Sequence, residues 1–127
     1  MIMTRKEFED IAQEAFDSLP DQFREKVDNV SIVVEDYPSL DLQESLGTDE
    51  SSLLGLYQGV PYGYRGTWYG TFPTVPDTIF LFQKNIEAEC RGEEMIRRKI
   101  AEVLYHELGH YFGMSEKEVR SMLRNFV

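Results

Sequence analysis

The segment HELGHYFGMSE, residues 106–116, contains both histidines of the 127-residue chain. His106 and His110 are four positions apart, and Glu107 directly follows the first. Two histidines placed at random in this chain are four positions apart roughly 1.5% of the time. Because the chain has 15 glutamates, the probability that a glutamate also follows the first histidine by chance is on the order of 0.2% in total. The pattern therefore indicates a functional helix rather than a coincidence.

On an α-helix, residues four positions apart project from one face, about 6 Å apart along the axis, so both imidazoles can face one ion. Two imidazoles suit a tetrahedral zinc ion with bonds of about 2.0–2.1 Å. Glu107 lies about 100° round the helix from His106, so it can reach a water on the metal without becoming a ligand. The spacing predicts one Zn²⁺ ion and hydrolysis by a zinc-bound water that Glu107 activates as acid/base.

A catalytic zinc site needs a third protein ligand and one open position. The chain has no third histidine, and Gly113 is expected to end the helix in a left-handed cap that turns the chain back. Glu116 then stands where the pattern HExxHxxGxxH of metzincins has its third ligand, which makes it the favoured candidate. Glu118 and Cys90 stay open as weaker alternatives. Both glutamates also suit the first turn of a following helix without any metal.

The composition excludes several classes of partner. A net charge of −10 repels nucleic acid and anionic membrane, because affinity for both depends on lysine and arginine. The length and the 42% of hydrophobic residues are typical of one globular domain over residues 1–127. One cysteine, no apolar run near the roughly 20 residues of a membrane span and no leader-like start favour the cytoplasm. Cys90, in a charged context, is expected to be exposed or half-buried.

Apolar spacing predicts the order of elements and an α+β fold. A capping box at Thr4 and Glu7 opens a helix over residues 4–19, and a short helical turn follows at 21–27. The expected strands are residues 29–36, 53–59 and 78–84, and residues 37–52 are read as a connection.

A long helix is expected from Glu93 to Gly113, and a second capping box at Ser115 and Glu118 opens the last helix. The residues predicted to face the core from these two helices are Met95, Ile96, Ile100, Val103, Leu104, Leu108, Tyr111, Val119, Met122, Leu123 and Phe126.

Residues 59–77 form a long stretch rich in glycine, proline and aromatic residues, either a substrate wall or packing over the sheet edge. An extended substrate is expected to add to a sheet edge above the metal, and residues 78–84 are the proposed strand, with a plain core strand as the alternative. The side chains that could stabilise an oxyanion are Tyr57, Tyr62, Tyr64, Arg65, Tyr69 and Tyr111, and the sequence selects none of them.

These residues resemble the minimal zincin-like metallopeptidase family of small single-domain bacterial proteins. HELGHYFGMSE matches its signature HExxHxxGxx(D/E), and LLGLYQGVP and PDTIFLF are similar to its other recurring segments. The resemblance covers roughly residues 30–120.

The resemblance implies a small mixed sheet packed against the long HExxH helix and an N-terminal helix. It also implies peptidase activity, with His106, His110 and Glu116 as zinc ligands and Glu107 as catalytic residue. Two departures stand out: a glutamate replaces the usual aspartate or histidine as third ligand, and no distinct methionine turn follows.

The sequence therefore predicts a zinc-dependent metallopeptidase that acts on a peptide or protein substrate. A non-catalytic, zinc-stabilised protein-binding module is the alternative, and a scaffold whose histidines and glutamates bind no metal is a weaker one. The oligomeric state is left open.

Overall fold

A computed structural model of the chain describes residues 3–27, 29–59 and 77–126. The elements in chain order are α1 (Arg5–Asp17), α2 (Asp21–Arg24), β1 (Val30–Glu35), α3 (Leu40–Leu46), β2 (Gly55–Gln58), β3 (Asp77–Phe82), α4 (Gln83–Ala88), α5 (Glu93–Tyr111) and α6 (Glu116–Phe126). The fold class is α+β, as the sequence predicts. No helix among the described residues is long and apolar enough to cross a membrane.

The described sheet has the strand order β1-β3-β2. β1 pairs with β3 in parallel, from Val30 opposite Asp77 onwards, and β2 pairs with β3 antiparallel, with Gly55 opposite Leu81. The nomination of residues 78–84 as the substrate-binding edge is therefore wrong, because β3 is the central strand and its backbone groups pair on both sides. Among the described strands, β2 is the edge that adjoins α5.

The core lies between the sheet and two helices. α1 packs against β1, α5 packs against β2 and β3, and the two helices pack against each other. The side chains that α5 buries completely are Ile96, Ile100, Leu104, Leu108 and Tyr111. The capping box of α1 is confirmed, since the Thr4 side chain accepts from the Glu7 N–H and the Glu7 side chain accepts from Thr4.

Two short helices were missed by the sequence reading. α3 lies inside the predicted connection 37–52, where Ser39 caps its start and Gly47, at a φ of 64°, ends it. α4 begins at Gln83, so the third strand stops at Phe82 rather than at residue 84. Both helices are too short for apolar spacing to stand out from their surroundings.

Two burial predictions are also wrong. Met95 is 47% exposed although the next residue, Ile96, is fully buried, because consecutive helix residues project about 100° apart and Met95 lies outside the buried face of α5. Cys90 is 7% exposed and belongs to the core cluster, although charged residues surround it in sequence. Burial raises the pKa of the Cys90 thiol, which disfavours the thiolate that binds metal or attacks as a nucleophile. Residues 60–76 and the side chains of Met122, Leu123 and Phe126 lie outside the described part of the chain.

A buried amide of α4 fixes the connection that leads into β2. Asn85 is 3% exposed, and its Nδ2 donates to the Glu50 and Leu53 carbonyl oxygens, each at 2.8 Å. These bonds hold the segment that precedes Gly55 against the rest of the fold.

We expect Asn85→Ala to lower the free energy of unfolding by about 1–3 kcal/mol, because two hydrogen bonds to a buried amide are lost. Urea unfolding followed by circular dichroism measures the change. Gln13→Ala is the control: Gln13 bonds Asp17 on the exposed face of α1, and its loss should change stability by less than about 0.5 kcal/mol. Equal effects of both substitutions would contradict the anchoring role of Asn85.

Candidate metal centre

The two histidines lie one turn apart near the end of α5. Their ring centroids are 4.8 Å apart with an interplanar angle of 68°, and their side chains are 36% and 45% exposed. Ligand-type atoms of His106, Glu107 and His110 all lie within 4.8 Å of one another. The helix thus brings its two imidazoles together at a surface that a small ion can reach.

The chain then reverses direction at Gly113, as predicted. Gly113 has a φ of 71°, its N–H donates to the His110 carbonyl oxygen, and the Met114 N–H donates to the Gly109 carbonyl oxygen. This left-handed cap satisfies carbonyl groups at the end of α5. The second capping box is also confirmed: Ser115 Oγ accepts from the Glu118 N–H at 3.2 Å, and Glu118 Oε1 accepts from the Ser115 N–H at 3.1 Å.

The reversal places Glu116 beside the histidines, whereas the Glu118 carboxylate is committed to the cap. Both Glu116 carboxylate oxygens lie 3.2 Å from His106 Nε2, and Oε1 lies 3.9 Å from His110 Nε2. Zinc bonds of about 2.0–2.1 Å in a tetrahedral site separate neighbouring donor atoms by roughly 3.3 Å. The three side chains therefore fit a zinc ion, and the longer arm of glutamate reaches the place where an aspartate is common.

Glu107 belongs to the cluster but occupies a different side of His106. Its Oε2 lies 3.1 Å from His106 Nδ1, while Glu116 faces the Nε2 atom of the same ring. One ion cannot take both ring nitrogens, so an ion held by Nε2 and Glu116 lies away from the present position of the Glu107 carboxylate. Glu107 and Glu116 therefore lie next to different nitrogen atoms of the His106 ring.

The backbone of β2 holds Glu107. The Tyr57 N–H donates to Glu107 Oε1 at 2.8 Å, and the Glu107 side chain is only 12% exposed. The Phe82 N–H donates to the Leu54 carbonyl oxygen, so Leu54, Leu56 and Gln58 form the hydrogen-bonded pairs with β3. Tyr57 lies between two of these residues and forms no hydrogen-bonded pair with β3, so its N–H points away from β3 towards α5. Sequence reasoning missed this contact, because the two residues are 50 positions apart.

Gly55 permits the close approach of β2 to α5. A Cβ atom at this position would lie 2.6 Å from Val103 Cγ1 and 3.4 Å from Glu107 Cγ. Any larger residue would push the strand away from the helix, and the Tyr57 N–H would move away from Glu107 with it.

A cavity of about 350 Å³ opens beside His106 and Glu107. Residues 53–55 form one wall, and Glu102 and Val103, one turn before His106 on α5, form the other. The walls are mainly apolar.

The electrostatics of the site favour positive charge. Partial burial lowers the pKa of His106, but hydrogen bonds and Coulombic attraction from Glu107 and Glu116 outweigh it, so the pKa of His106 is raised overall. The carboxylates that stabilise a protonated imidazole would also stabilise a metal cation bound to the neutral imidazole.

The remaining candidates lie elsewhere. The Tyr57 hydroxyl donates to Asp77 Oδ2 at 2.9 Å, and the hydroxyl of the fully buried Tyr111 donates to the Lys26 carbonyl oxygen at 3.1 Å. Cys90 lines a separate cavity with Lys99 and Glu102. The other oxyanion candidates, Tyr62, Tyr64, Arg65 and Tyr69, lie outside the described residues.

Two histidines one turn apart on a helix, with a carboxylate from the next helix beside them, are side chains of the types that bind zinc in proteins. The family model of zincin-like metallopeptidases matches residues 27–124. The chain therefore belongs to this family, which implies zinc binding and peptide substrates in general. No curated protein is a significant match to this chain.

Gly109 sets the distance between the two helices of the site. A Cβ atom at this position would lie 2.3 Å from Val119 Cγ2, on the buried face of α6. The sequence could have indicated this helix contact, because a glycine inside a helix costs about 1 kcal/mol relative to alanine and is usually there for a packing reason.

We expect Gly109→Ala to destabilise the zinc-free protein by about 1–3 kcal/mol, because the new methyl group overpacks the helix contact. Without that contact, the same substitution would stabilise a helix by roughly 1 kcal/mol, so the sign of the effect is diagnostic. Urea unfolding in the presence of a chelator measures it, and zinc affinity should fall in parallel as Glu116 is displaced.

The double variant Gly109→Ala, Val119→Ala is the control for this interpretation. Since removal of the Val119 methyl groups makes room, the two effects should be less than additive by about 0.5–3 kcal/mol. Strict additivity would argue against a direct contact.

Proposed function

We propose that this chain is a zinc-dependent peptidase in which His106, His110 and Glu116 bind the metal and Glu107 is the catalytic acid/base. The observation that carries the proposal is the division between the two glutamates. Glu116 lies against the Nε2 atoms of both histidines, and Glu107 is held apart from it by the backbone of β2. Three protein donors leave one zinc position open, which is typical of catalytic rather than structural sites.

A zinc ion bound by these donors would supply Lewis acidity that polarises a peptide carbonyl and lowers the pKa of water to about 7. The chain itself supplies the proton transfers. The Tyr57 N–H occupies Glu107 Oε1, and Oε2 lies 3.1 Å from His106 Nδ1. In the proposed mechanism the carboxylate turns Oε2 from this ring nitrogen towards the metal side, where it would take a proton from the attacking water and return it to the leaving amine.

The edge of β2 supports binding of an extended peptide. The backbone groups of Gly55 do not pair with β3, so they point to the side of the strand that faces α5. A peptide that adds to this edge would pass directly beside Glu107. We therefore assign to β2 the role that the sequence reading gave to residues 78–84.

The alternative function is a zinc-stabilised binding module without turnover, in which the same three donors fasten α6 to α5. The Gly109–Val119 contact supports a structural role for this junction. In a purely structural site Glu107 would serve only to orient His106 through Nδ1, whereas a peptidase needs it as an acid/base.

We expect Glu116→Gln to weaken zinc binding by more than the roughly 10- to 100-fold that loss of an outer-shell partner costs. Competition titration against a chromophoric chelator measures the affinity. Glu118→Gln is the matched control, because it removes the same charge two residues away while glutamine still serves the capping box. Similar losses in both variants would contradict the assignment of Glu116 as a ligand.

We expect Glu107→Gln to lower kcat/KM for peptide hydrolysis by roughly 10²- to 10⁴-fold, because glutamine cannot take up the proton. Glutamine still accepts from the Tyr57 N–H, so zinc content and thermal stability should stay unchanged. Cleavage of a peptide library by zinc-loaded protein, combined with elemental analysis, tests both statements. An unchanged rate in this variant would rule out Glu107 as the acid/base, and zinc-loaded wild type without any cleavage would favour the binding module.

A further inference from the structure

The cavity of about 350 Å³ adjoins the metal centre, beside the glutamate that we propose as acid/base. It is bounded by His106 and Glu107 at one end and extends one helical turn, about 5.4 Å, towards Glu102 and Val103. Leu53, Leu54 and Val103 give it apolar walls. A side chain with an apolar body fits this space.

One ionisable group of the cavity is not used by the proposed chemistry. His106 and Glu107 are engaged with each other, with Glu116 and with the Tyr57 N–H. Glu102 has a single weak ion pair in the described part of the chain, to Lys99 Nζ at 3.9 Å. Lys99 is itself closer to Glu89, at 3.3 Å, so Glu102 retains an acceptor for an incoming cation.

We propose that this cavity binds a lysine or arginine side chain of the peptide substrate, next to the bond that is cut. The aliphatic stem would pack against Leu53, Leu54 and Val103, and the cationic tip would pair with Glu102. The net charge of −10 adds attraction for basic peptides at longer range. The position of this residue relative to the scissile bond rests on the proposed function, whereas the pairing with Glu102 does not.

Glu102 would favour a basic side chain in the cavity by attracting its positive charge. Glu102 is not buried, so an uncharged side chain does not leave it as an unpaired charge in the protein interior. Its side chain is 39% exposed, so water screens the pair and the expected gain is modest. We expect about a two- to fivefold preference for lysine over norleucine, which has the same stem without the charge.

The test uses two peptides that differ only in lysine or norleucine at the residue flanking the mapped cleavage site. In zinc-loaded wild type, kcat/KM should be about two- to fivefold higher for the lysine peptide. Glu102→Gln should bring this ratio close to one and leave hydrolysis of the norleucine peptide within about twofold. Glu94→Gln, which removes the same charge from the exposed first turn of α5, should keep the wild-type ratio. A ratio that Glu102→Gln does not change, or a preference for norleucine, overturns the proposal.

A binding experiment separates this proposal from the proposed peptidase activity. Calorimetry with the zinc-loaded Glu107→Gln protein, with and without Glu102→Gln, compares two short peptides that differ only in a central lysine or norleucine, so that no mapped cleavage site is needed. Tighter binding of the lysine peptide that depends on Glu102 supports the cavity assignment, even if wild type cleaves neither peptide and the peptidase proposal fails. Equal affinities, or no binding of either peptide, overturn the cavity assignment.

Discussion

The site depends on how closely α6 packs against α5 after the chain reverses at Gly113. The left-handed turn alone would bring Glu116 near the histidines only approximately. The absence of a side chain at Gly109 lets Val119 enter the helix surface, and this contact sets the distance across which Glu116 reaches His106. One glycine thus fixes the direction of the chain, and the other fixes the separation of the two helices.

A second close approach holds Glu107 apart from Glu116. Gly55 lets β2 lie against α5, and the out-of-phase Tyr57 then offers its N–H to Glu107. Asn85 holds the segment before this strand, so the position of Glu107 depends on a buried amide in a different helix. The geometry at the end of α5 is therefore supported from the sheet on one side and from α6 on the other.

The sequence predicted the parts of this site that are local. These parts are the two histidines, the Gly113 cap and the Ser115–Glu118 capping box. They lie within a few residues of one another, so helix geometry alone determines which side chains face each other. The partner of Glu107 is 50 residues away, and the central position of β3 follows from pairing that period-two alternation does not specify. Cys90 was misjudged for the same reason, since its burial comes from tertiary packing and not from its charged neighbours.

The charge distribution links the metal centre to the cavity. Glu107 and Glu116 together raise the pKa of His106, so the cluster attracts a proton, and the same negative charges favour a divalent cation. Glu102 lies one turn before His106 on the same helix, and in the described part of the chain no ion pair with a histidine balances its negative charge. Its weak pair with Lys99 leaves a negative charge at the rim of an otherwise apolar space. A substrate side chain that is apolar along its length and positive at its tip complements both properties at once, and neither a leucine nor an aspartate does so.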